Sequence, residues 1–549
     1  MKQPGPNDSP GAATDTAAKP GASGEKLNTR AAGMIGLAVM CSRVLGLIRE
    51  QIFAALFGGG RFMDAFTAAF RIPNLLRDLF AEGALSTAFV TTFSKTAVTD
   101  GDAAAWRLAN KIITLAIITL STLTLLGIAT APWIVTHLAP GFDAEKAELT
   151  IALTRIMFPF ILLVSLAAVV MGMLNARNVF GMPAMASSFF NLGSIVGGVI
   201  IGYWLDPHWG PRALMGLAIG TLIGGALQLG VQLPSLKRLG YEFHPDFRWR
   251  DTGVKAVLSL MGPSVIAASS TQVNVMINTV FASSLGDGPV FWLNIAFRLM
   301  QLPLGLFGVA LGTVSLPLLA RMVAIGNMDA FRSELARSMR LSFLLTIPAM
   351  LGLMMLAEPI ISVLYQHGKF GAADAAQAAG ALRFYAVGLC GYAALKVLVN
   401  AFYAVDKRKT PMLISFIAVG TNLLLNWLFT FHLGWGHRGL AFSTGCVASI
   451  NFVILYVLMH QHLQHLETTN MLKLVLKTLV AGAVLAAICW SGQHWLLADW
   501  PNMRFIPKVA ALLGVITAAG AGFFGCALLL RIPELDALMA AVKRRLQRR

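Results

Sequence analysis

The sequence is short of charge. Of its 549 residues, 13% are Asp, Glu, Lys or Arg, while 56% are hydrophobic and the mean hydropathy is +0.69. Soluble domains carry about 25% charged residues, so a cytosolic enzyme and a disordered scaffold are both excluded. Cysteine is scarce as well. Cys41, Cys390, Cys446, Cys489 and Cys526 stand apart in apolar stretches with no metal-like spacing. That excludes a disulfide-stapled secreted domain and reads the five as small buried hydrophobes. No nucleophile elbow, phosphate-binding glycine loop or HExxH motif occurs. No cofactor is therefore expected, and no ATPase is there to supply energy. His460-Gln461-His462-Leu463-Gln464-His465 lacks an acidic or thiol companion and reads as an interfacial helix end, not a metal site. The strict alternation over about 10 residues that marks an outer-membrane barrel is missing too.

What the chain does have is long apolar runs. Residues 1–30, rich in Ala, Gly, Pro and Thr and without the order of a signal peptide, read as a disordered cytoplasmic tail. Beyond them, segments of about 20 residues or more, each able to cross a bilayer, are expected at 31–57, 64–94, 108–138, 149–175, 183–205, 211–234, 254–286, 289–320, 338–366, 377–404, 411–433, 439–460, 472–497 and 506–530. The pattern predicts an all-α polytopic membrane protein of 14 transmembrane helices. The net charge is +17. With the N-terminus inside, 28 of the 43 Lys and Arg fall in cytoplasmic segments and 7 in the opposite loops. By the positive-inside rule this places both termini in the cytoplasm. The charge is then topological and not a nucleic-acid surface. The basic tail, 531–549, sits where anionic headgroups attract it.

The chain resembles itself at an offset of 223 to 228 residues. Ile52–Gly58 meets Val280–Gly286, Ala69-Phe70-Arg71-Ile72 meets Ala296-Phe297-Arg298-Leu299, Pro183 meets Pro411, and Gly216–Thr221 meets Gly439–Thr444. The matches predict two six-helix lobes, 31–240 and 250–465, running the same way, with two extra transmembrane helices at 470–530. A cavity is expected between the lobes, as in transporters built from parallel halves.

Ionisable groups inside spans are costly and usually face a bundle interior or aqueous cavity. The first two spans carry Arg43, Arg49, Glu50, Asp64, Arg71, Arg77, Asp78 and Glu82; Arg298 lies in the eighth. At 100° per residue Gly36, Arg43, Gly46 and Glu50 share one face, and so do Asp64, Arg71, Asp78 and Glu82. Several arginines converging on a cavity suit an anionic cargo, because guanidinium grips phosphate oxygens in a two-pronged fashion. Arg155, Glu358 and Arg383 lie near span ends and read as ion pairs or snorkelling groups. Prolines such as Pro73, Pro159, Pro303, Pro317 and Pro348 predict broken or kinked helices.

At the second span the motifs become specific. Asp64-Ala65-Phe66, Ala69-Phe70-Arg71-Ile72-Pro73-Asn74-Leu75-Leu76-Arg77, Phe80-Ala81-Glu82-Gly83-Ala84 and Ala88-Phe89-Val90 resemble the signature of the lipid II flippases, the MurJ/MviN family. Ser42-Arg43-Val44-Leu45-Gly46, Ala131-Pro132-Trp133, Ala139-Pro140-Gly141-Phe142, Gln232-Leu233-Pro234, Met261-Gly262-Pro263 and Gly368-Lys369-Phe370 agree. The resemblance runs from about residue 30 to the end and implies the fold of the multidrug/oligosaccharidyl-lipid/polysaccharide exporter superfamily. The implied activity moves the undecaprenyl-pyrophosphate-linked disaccharide-pentapeptide across the bacterial cytoplasmic (inner) membrane during peptidoglycan synthesis. The implied partners are lipid II and membrane lipids, with the protein a monomer and not an enzyme. It places cavity residues at Arg43, Arg49, Asp64, Arg77, Glu82 and Arg298, to which the stripe above adds Arg71. The two extra helices are implied to frame a groove for the polyprenyl tail. Two departures stand out: Asp78 where a second basic residue is frequent, and Phe297 where an Asp is frequent. Without that Asp, Arg298 is expected to depend on the cargo for its partner. A drug/cation antiporter of the same superfamily would favour an acidic cavity. A flippase for another lipid-linked glycan has the same fold but fits the motifs less well. A membrane enzyme acting on polyprenyl phosphates would need catalytic groups on a sizeable loop, and 235–253 offers few.

Overall fold

The computed structural model describes residues 29–78, 85–498, 500 and 503–536. Glu82, the tail over 1–28 and the basic residues 537–549 lie outside the described residues. Among those described, the regular structure is entirely helical. The first half of the chain forms α1 (Thr29–Phe57), α2 (Arg61–Arg77), α3 (Leu85–Thr99), α4 (Asp102–Leu138), α5 (Ala144–Met157), α6 (Phe160–Ala176), α7 (Gly181–Leu205), α8 (Pro211–Gly230) and the short α9 (Leu233–Arg238). The second forms α10 (Thr252–Ser283), α11 (Pro289–Pro303), α12 (Ala310–Ala324), α13 (Met328–Met355), α14 (Ala357–Tyr365), α15 (Ala372–Val387), α16 (Leu389–Ala404), α17 (Lys409–Trp427) and α18 (His437–Leu463). Two more follow, α19 (Thr468–Ser491) and α20 (Phe505–Leu529). Among the described residues ten helices, some joined across short breaks, are long and apolar enough to cross a membrane, or 11 if the pair α15–α16, bent by 42°, counts as one.

Several of the expected spans are two helices in line, broken where their prolines predict. Pro159 separates α5 from α6, and Pro303 ends α11 at a π-helical turn, Leu304–Val309, before α12. Proline has no N–H to give the preceding turn, so the ladder of hydrogen bonds shifts there. Helix starts carry the expected signals: Pro211 and Pro289 sit in the first turn of α8 and α11. Asp143 and Asp251 accept from backbone N–H groups of α5 and α10.

α7 and α8 pack backbone to backbone. A Cβ on Gly216 would lie 2.3 Å from Gly202 N, and one on Gly220 2.3 Å from Gly198 N. Small residues at four-residue spacing allow this approach, which supplies van der Waals contact where lipid offers no hydrophobic drive. The largest core draws on both halves: Phe53, Phe57 and Phe66 pack with Phe291, Tyr365 and Phe370. α10 spans the two halves. Its start packs on α3 and α4, with Val254 and Val257 in a core beside Phe89 and Ile112, and its later turns meet α17 and α18. α19 and α20 lean on α13 through Leu344, Ala481, Leu485 and Phe523. Arg340 fastens them, bonding Glu467 before α19 and Glu534 after α20 at 2.5 Å each.

The extended stretch before α10 is tied to α4. Tyr241 donates to Asn110 (2.6 Å), Thr114 accepts from Asp246 N, and Lys111 pairs with Asp251 at 2.7 Å. Within it, Arg248 grips Asp246 and pulls that carboxyl down to about 2.

Candidate functional site

Bonds between the two halves gather at the end of the bundle that carries the loops around residues 58, 141 and 287. Asp64, in the first turn of α2, is fully buried. Its carboxylate accepts from the first turn of α11, from Gly288 N at 2.6 Å and Phe291 N at 2.8 Å. A carboxylate there satisfies orphan N–H groups and meets the positive end of the helix dipole. Lys146 of α5, 1% exposed, lies 3.0 Å from Asp64 and 2.8 Å from Asp287, with its ammonium over the Phe142 ring. Around this centre Lys369 N donates to Ala55 O, Gly59 N to Asp374, and Gly141 N to Ser283 Oγ. Gly58 takes φ +80° with Lys369 O close against it, a position that suits only glycine. Outside the seal Arg61 holds Asp143 in a two-pronged bond, which keeps that carboxyl below its usual range.

Below the seal the arginines descend like rungs. Counted along their helices at 1.5 Å per residue, Glu50 lies about 10 Å deep, Arg298 about 14 Å, Arg71 about 15 Å, Arg43 about 21 Å and Arg77 about 24 Å. Arg298 bonds Glu50 at 2.6 Å, and Tyr365 donates to the other Glu50 oxygen at 3.5 Å. The Arg298 side chain is 39% exposed. It is near enough to repel both Arg49 and Arg71. Arg49 lies over the ring of Phe190 at 5.1 Å. Arg43 reaches the π-helical turn, where Gly305 leaves room for its guanidinium; a Cβ there would stand 2.8 Å from Nη1. Arg77 is gripped through Nε and Nη2 by Asp78, which also accepts from Gln272 of α10.

The structure thus brings Arg49 and Arg71 into range of Arg298, with Arg43 at the π-helical turn and Arg77 farther along α2. Asp64 stands apart, in the seal above them. One expectation needs correcting: Arg298 does not lack an acidic partner. Phe297 leaves its own turn neutral, but Glu50 comes from α1 across the cavity. Glu50 had a sequence signal, its shared face with Arg43 and Gly46. Lys146 had none, being a lone lysine in a short loop whose burial only tertiary packing creates. Away from the cavity, Arg383 pairs with Glu358 at 3.3 Å and Arg155 reaches Ile128 O, as their places near helix ends predict.

A family model described as lipid II flippase MurJ matches residues 53–511. The lipid II flippase MurJ of Burkholderia cenocepacia is 36% identical over 496 residues, 88% of this chain and 94% of its own. The probable lipid II flippase MurJ of Vibrio cholerae is 34% identical over 519 residues, 92% and 97% of the two chains. Among solved structures, a lipid II flippase MurJ in an inward closed conformation superposes with a TM-score of 0.71 at 24% identity, covering 89% of this chain and 98% of that one. An inward-facing MATE family transporter of the MOP superfamily gives 0.64 at 14% identity, over 79% and 95%. Matched across most of its length by the family model and by relatives above 30% identity, this chain belongs to the lipid II flippase MurJ family.

Proposed function

We propose that this chain carries lipid II, the undecaprenyl-pyrophosphate-linked disaccharide-pentapeptide, from the inner to the outer leaflet of the bacterial cytoplasmic membrane. It is a transporter without a cofactor, working as a monomer of 14 spans with both termini in the cytoplasm. Two six-span lobes, 31–240 and 250–465, rock about the cavity, and the helices at 470–530 frame the polyprenyl tail. The duplication draws support from Gly58 and Gly286, matched in sequence and both at positive φ where the first helix of each half ends. The cavity residues are Arg43, Arg49, Arg71, Arg77, Glu82 and Arg298, with Asp64 acting from the seal.

The observation that carries this reading is the ladder of arginines, drawn from both lobes, beneath an end closed by a buried carboxylate. A pyrophosphate entering from the cytoplasm meets Arg77 and Arg43, then Arg71 and Arg298. At Arg298 it competes with Glu50. Displacing Glu50 breaks the bond between α1 and α11, one of those that hold the lobes together under the seal. Cargo binding thereby loosens the closed periplasmic end. Lys146 and Asp64 both belong to the first lobe, so opening separates them as a neutral pair from Asp287 and α11, and no buried charge is left alone.

The test is depletion of the protein in cells, followed by exposure to an externally added enzyme that cleaves lipid II. Accessible lipid II should fall sharply and recover on re-expression. Unchanged access overturns the proposal, and loss of a different lipid-linked glycan in its place moves the cargo to that glycan.

A further inference from the structure

Beside the arginine ladder, within the second lobe, lies a cavity of about 240 Å³ whose lining differs in kind from the ladder. Five asparagines face it: Asn274 and Asn278 of α10, Asn294 of α11, Asn422 of α17 and Asn451 of α18. Aromatic faces complete it, from Phe297, Tyr385 and Tyr392. Arg71, reaching in from the first lobe, is the one charged residue of the lining among the described residues. Two of the amides, Asn278 and Asn422, are held in place. Asn278 donates to Thr444 at 3.1 Å and accepts from Asn426 at 2.8 Å, Asn426 also donates to Asn422 at 3.0 Å, and Ser443 donates to Asn426. Two polar atoms of the lining, Asn274 Oδ1 and Arg71 Nε, are buried with no hydrogen-bond partner. Buried polar atoms are nearly always paired in folded proteins, so these two have hydrogen-bonding capacity left for a ligand.

We infer that this cavity is the subsite for the sugar ring bonded directly to the pyrophosphate, a proposal that rests on the lipid II reading above. The argument is one of matched chemistry and of reach. Carboxamides offer both donors and acceptors, which pair with the hydroxyl and N-acetyl groups of an amino sugar, and flat aromatic rings cover the apolar face of a pyranose. An ionised ligand group would need a counter-charge, and only Arg71 is present. Arg71 stands at the boundary, in range of Arg298, and Phe297 of the cavity adjoins Arg298 of the ladder in sequence. A pyrophosphate held between Arg71 and Arg298 therefore puts the ring attached to it at the amide cavity. The pentapeptide starts farther from the phosphates and carries charge, and it is left in the open cavity between the lobes. Arg71 Nε and the Asn274 carbonyl, which have no partner within the protein, supply a donor and an acceptor for the ring's polar groups.

The test uses the full-length protein in lipid nanodiscs and three probes: lipid II, the same lipid disaccharide without its peptide, and undecaprenyl pyrophosphate without sugar. In the unaltered protein the sugar-bearing probes should bind tighter than the sugar-free one. Asn274→Leu and Asn451→Leu should each weaken both sugar-bearing probes by about tenfold, as the loss of a buried hydrogen bond does, and leave the sugar-free probe unchanged. Asn274→Leu deletes an unpaired acceptor, so its melting temperature should hold; Asn274→Ser serves if the leucine variant does not fold. Equal loss for all three probes, no loss, or loss confined to the probe with peptide overturns the sugar subsite. If the unaltered protein binds no probe, the lipid II reading itself falls.

Discussion

Arg298 and Glu50 illustrate how a paired charge can still serve a cargo. Arg298 approaches Glu50 through Nη2 and keeps 39% of its side chain exposed. If bidentate phosphate recognition is the role, Arg298→Lys should fail to complement a flippase-depleted strain nearly as badly as Arg298→Ala, because an ammonium is a point charge without the fork. Arg298→Ala also strands a buried Glu50, at a cost of about 3–5 kcal/mol. The double variant Glu50→Gln/Arg298→Ala should therefore regain thermal stability over Arg298→Ala without regaining transport. Complementation by Arg298→Ala removes the residue from the site. Asp64 belongs to a different task. Asp64→Ala leaves Lys146 facing Asp287 alone and uncaps α11, so the sealed end should open. In a Ser283→Cys background, where residue 283 is fully buried beside Gly141, an impermeant maleimide added outside should label the Asp64→Ala protein and spare its parent. Equal labelling would show that the seal does not depend on this carboxylate.

At the scale of elements, the α7–α8 contact sets a steric limit. Gly220→Ala drives a Cβ onto the backbone of Gly198, which cannot yield as a side-chain tip would. A loss of about 1–3 kcal/mol is expected from overpacking, read as a lower melting temperature in detergent. Gly230→Ala, at the open end of α8 with nothing within 4 Å, should cost little. Gly305→Ala differs from both: its Cβ meets only the mobile end of Arg43, so the fold should survive while Arg43 shifts and transport slows. The stretch before α10 offers a pH test. Asp246 titrates at about 2 in the folded protein against about 4 unfolded. The contribution of its Arg248 bond is whole above about pH 4 and is lost only as pH falls from there through about 2. Hydrogen-exchange protection over 241–251 should accordingly stay flat from pH 8 to 5. A loss of protection near pH 6 would point to another group holding the loop.

For the whole molecule the expectations are topological and energetic. Reporter fusions after residues 100, 245 and 330 should read cytoplasmic, and fusions near 142, 287 and 370 periplasmic; one inverted site breaks the 14-span arrangement. An anionic headgroup leaving a cell that is negative inside gains about 2.3 kcal/mol per charge per 100 mV. Collapsing the membrane potential should stop delivery to the outer leaflet, while depleting ATP at fixed potential should not. Delivery that survives full depolarisation excludes the potential as the drive.

The apolar runs were legible in the sequence because lipid exposure imposes a composition, about 20 apolar residues per crossing, whatever the neighbours are. The basic stripe was legible for a related reason. A charge in such a run is costly against lipid, so Arg43, Arg71 and Arg298 stood out by their residue type and place in the spans alone. What composition could not supply was the pairing of charges that lie far apart in the chain. Glu50 finds Arg298 from 248 positions away, and Lys146 is buried only because α2, α5 and the start of α11 meet around it. The breaks at Pro159 and Pro303 were foreseeable, but that the second becomes a π-helical turn with Gly305 open to Arg43 depends on the packing of α1. The amide cavity was invisible for the same reason. The five asparagines carry no charge and did not stand out from their spans as the arginines did; only the convergence of α10, α11, α17 and α18 turns them toward one space. Patterning along each helix is written in the sequence because solvent and lipid act on residues one at a time; the seal and the cavity are set by tertiary structure because they are made of distances between helices.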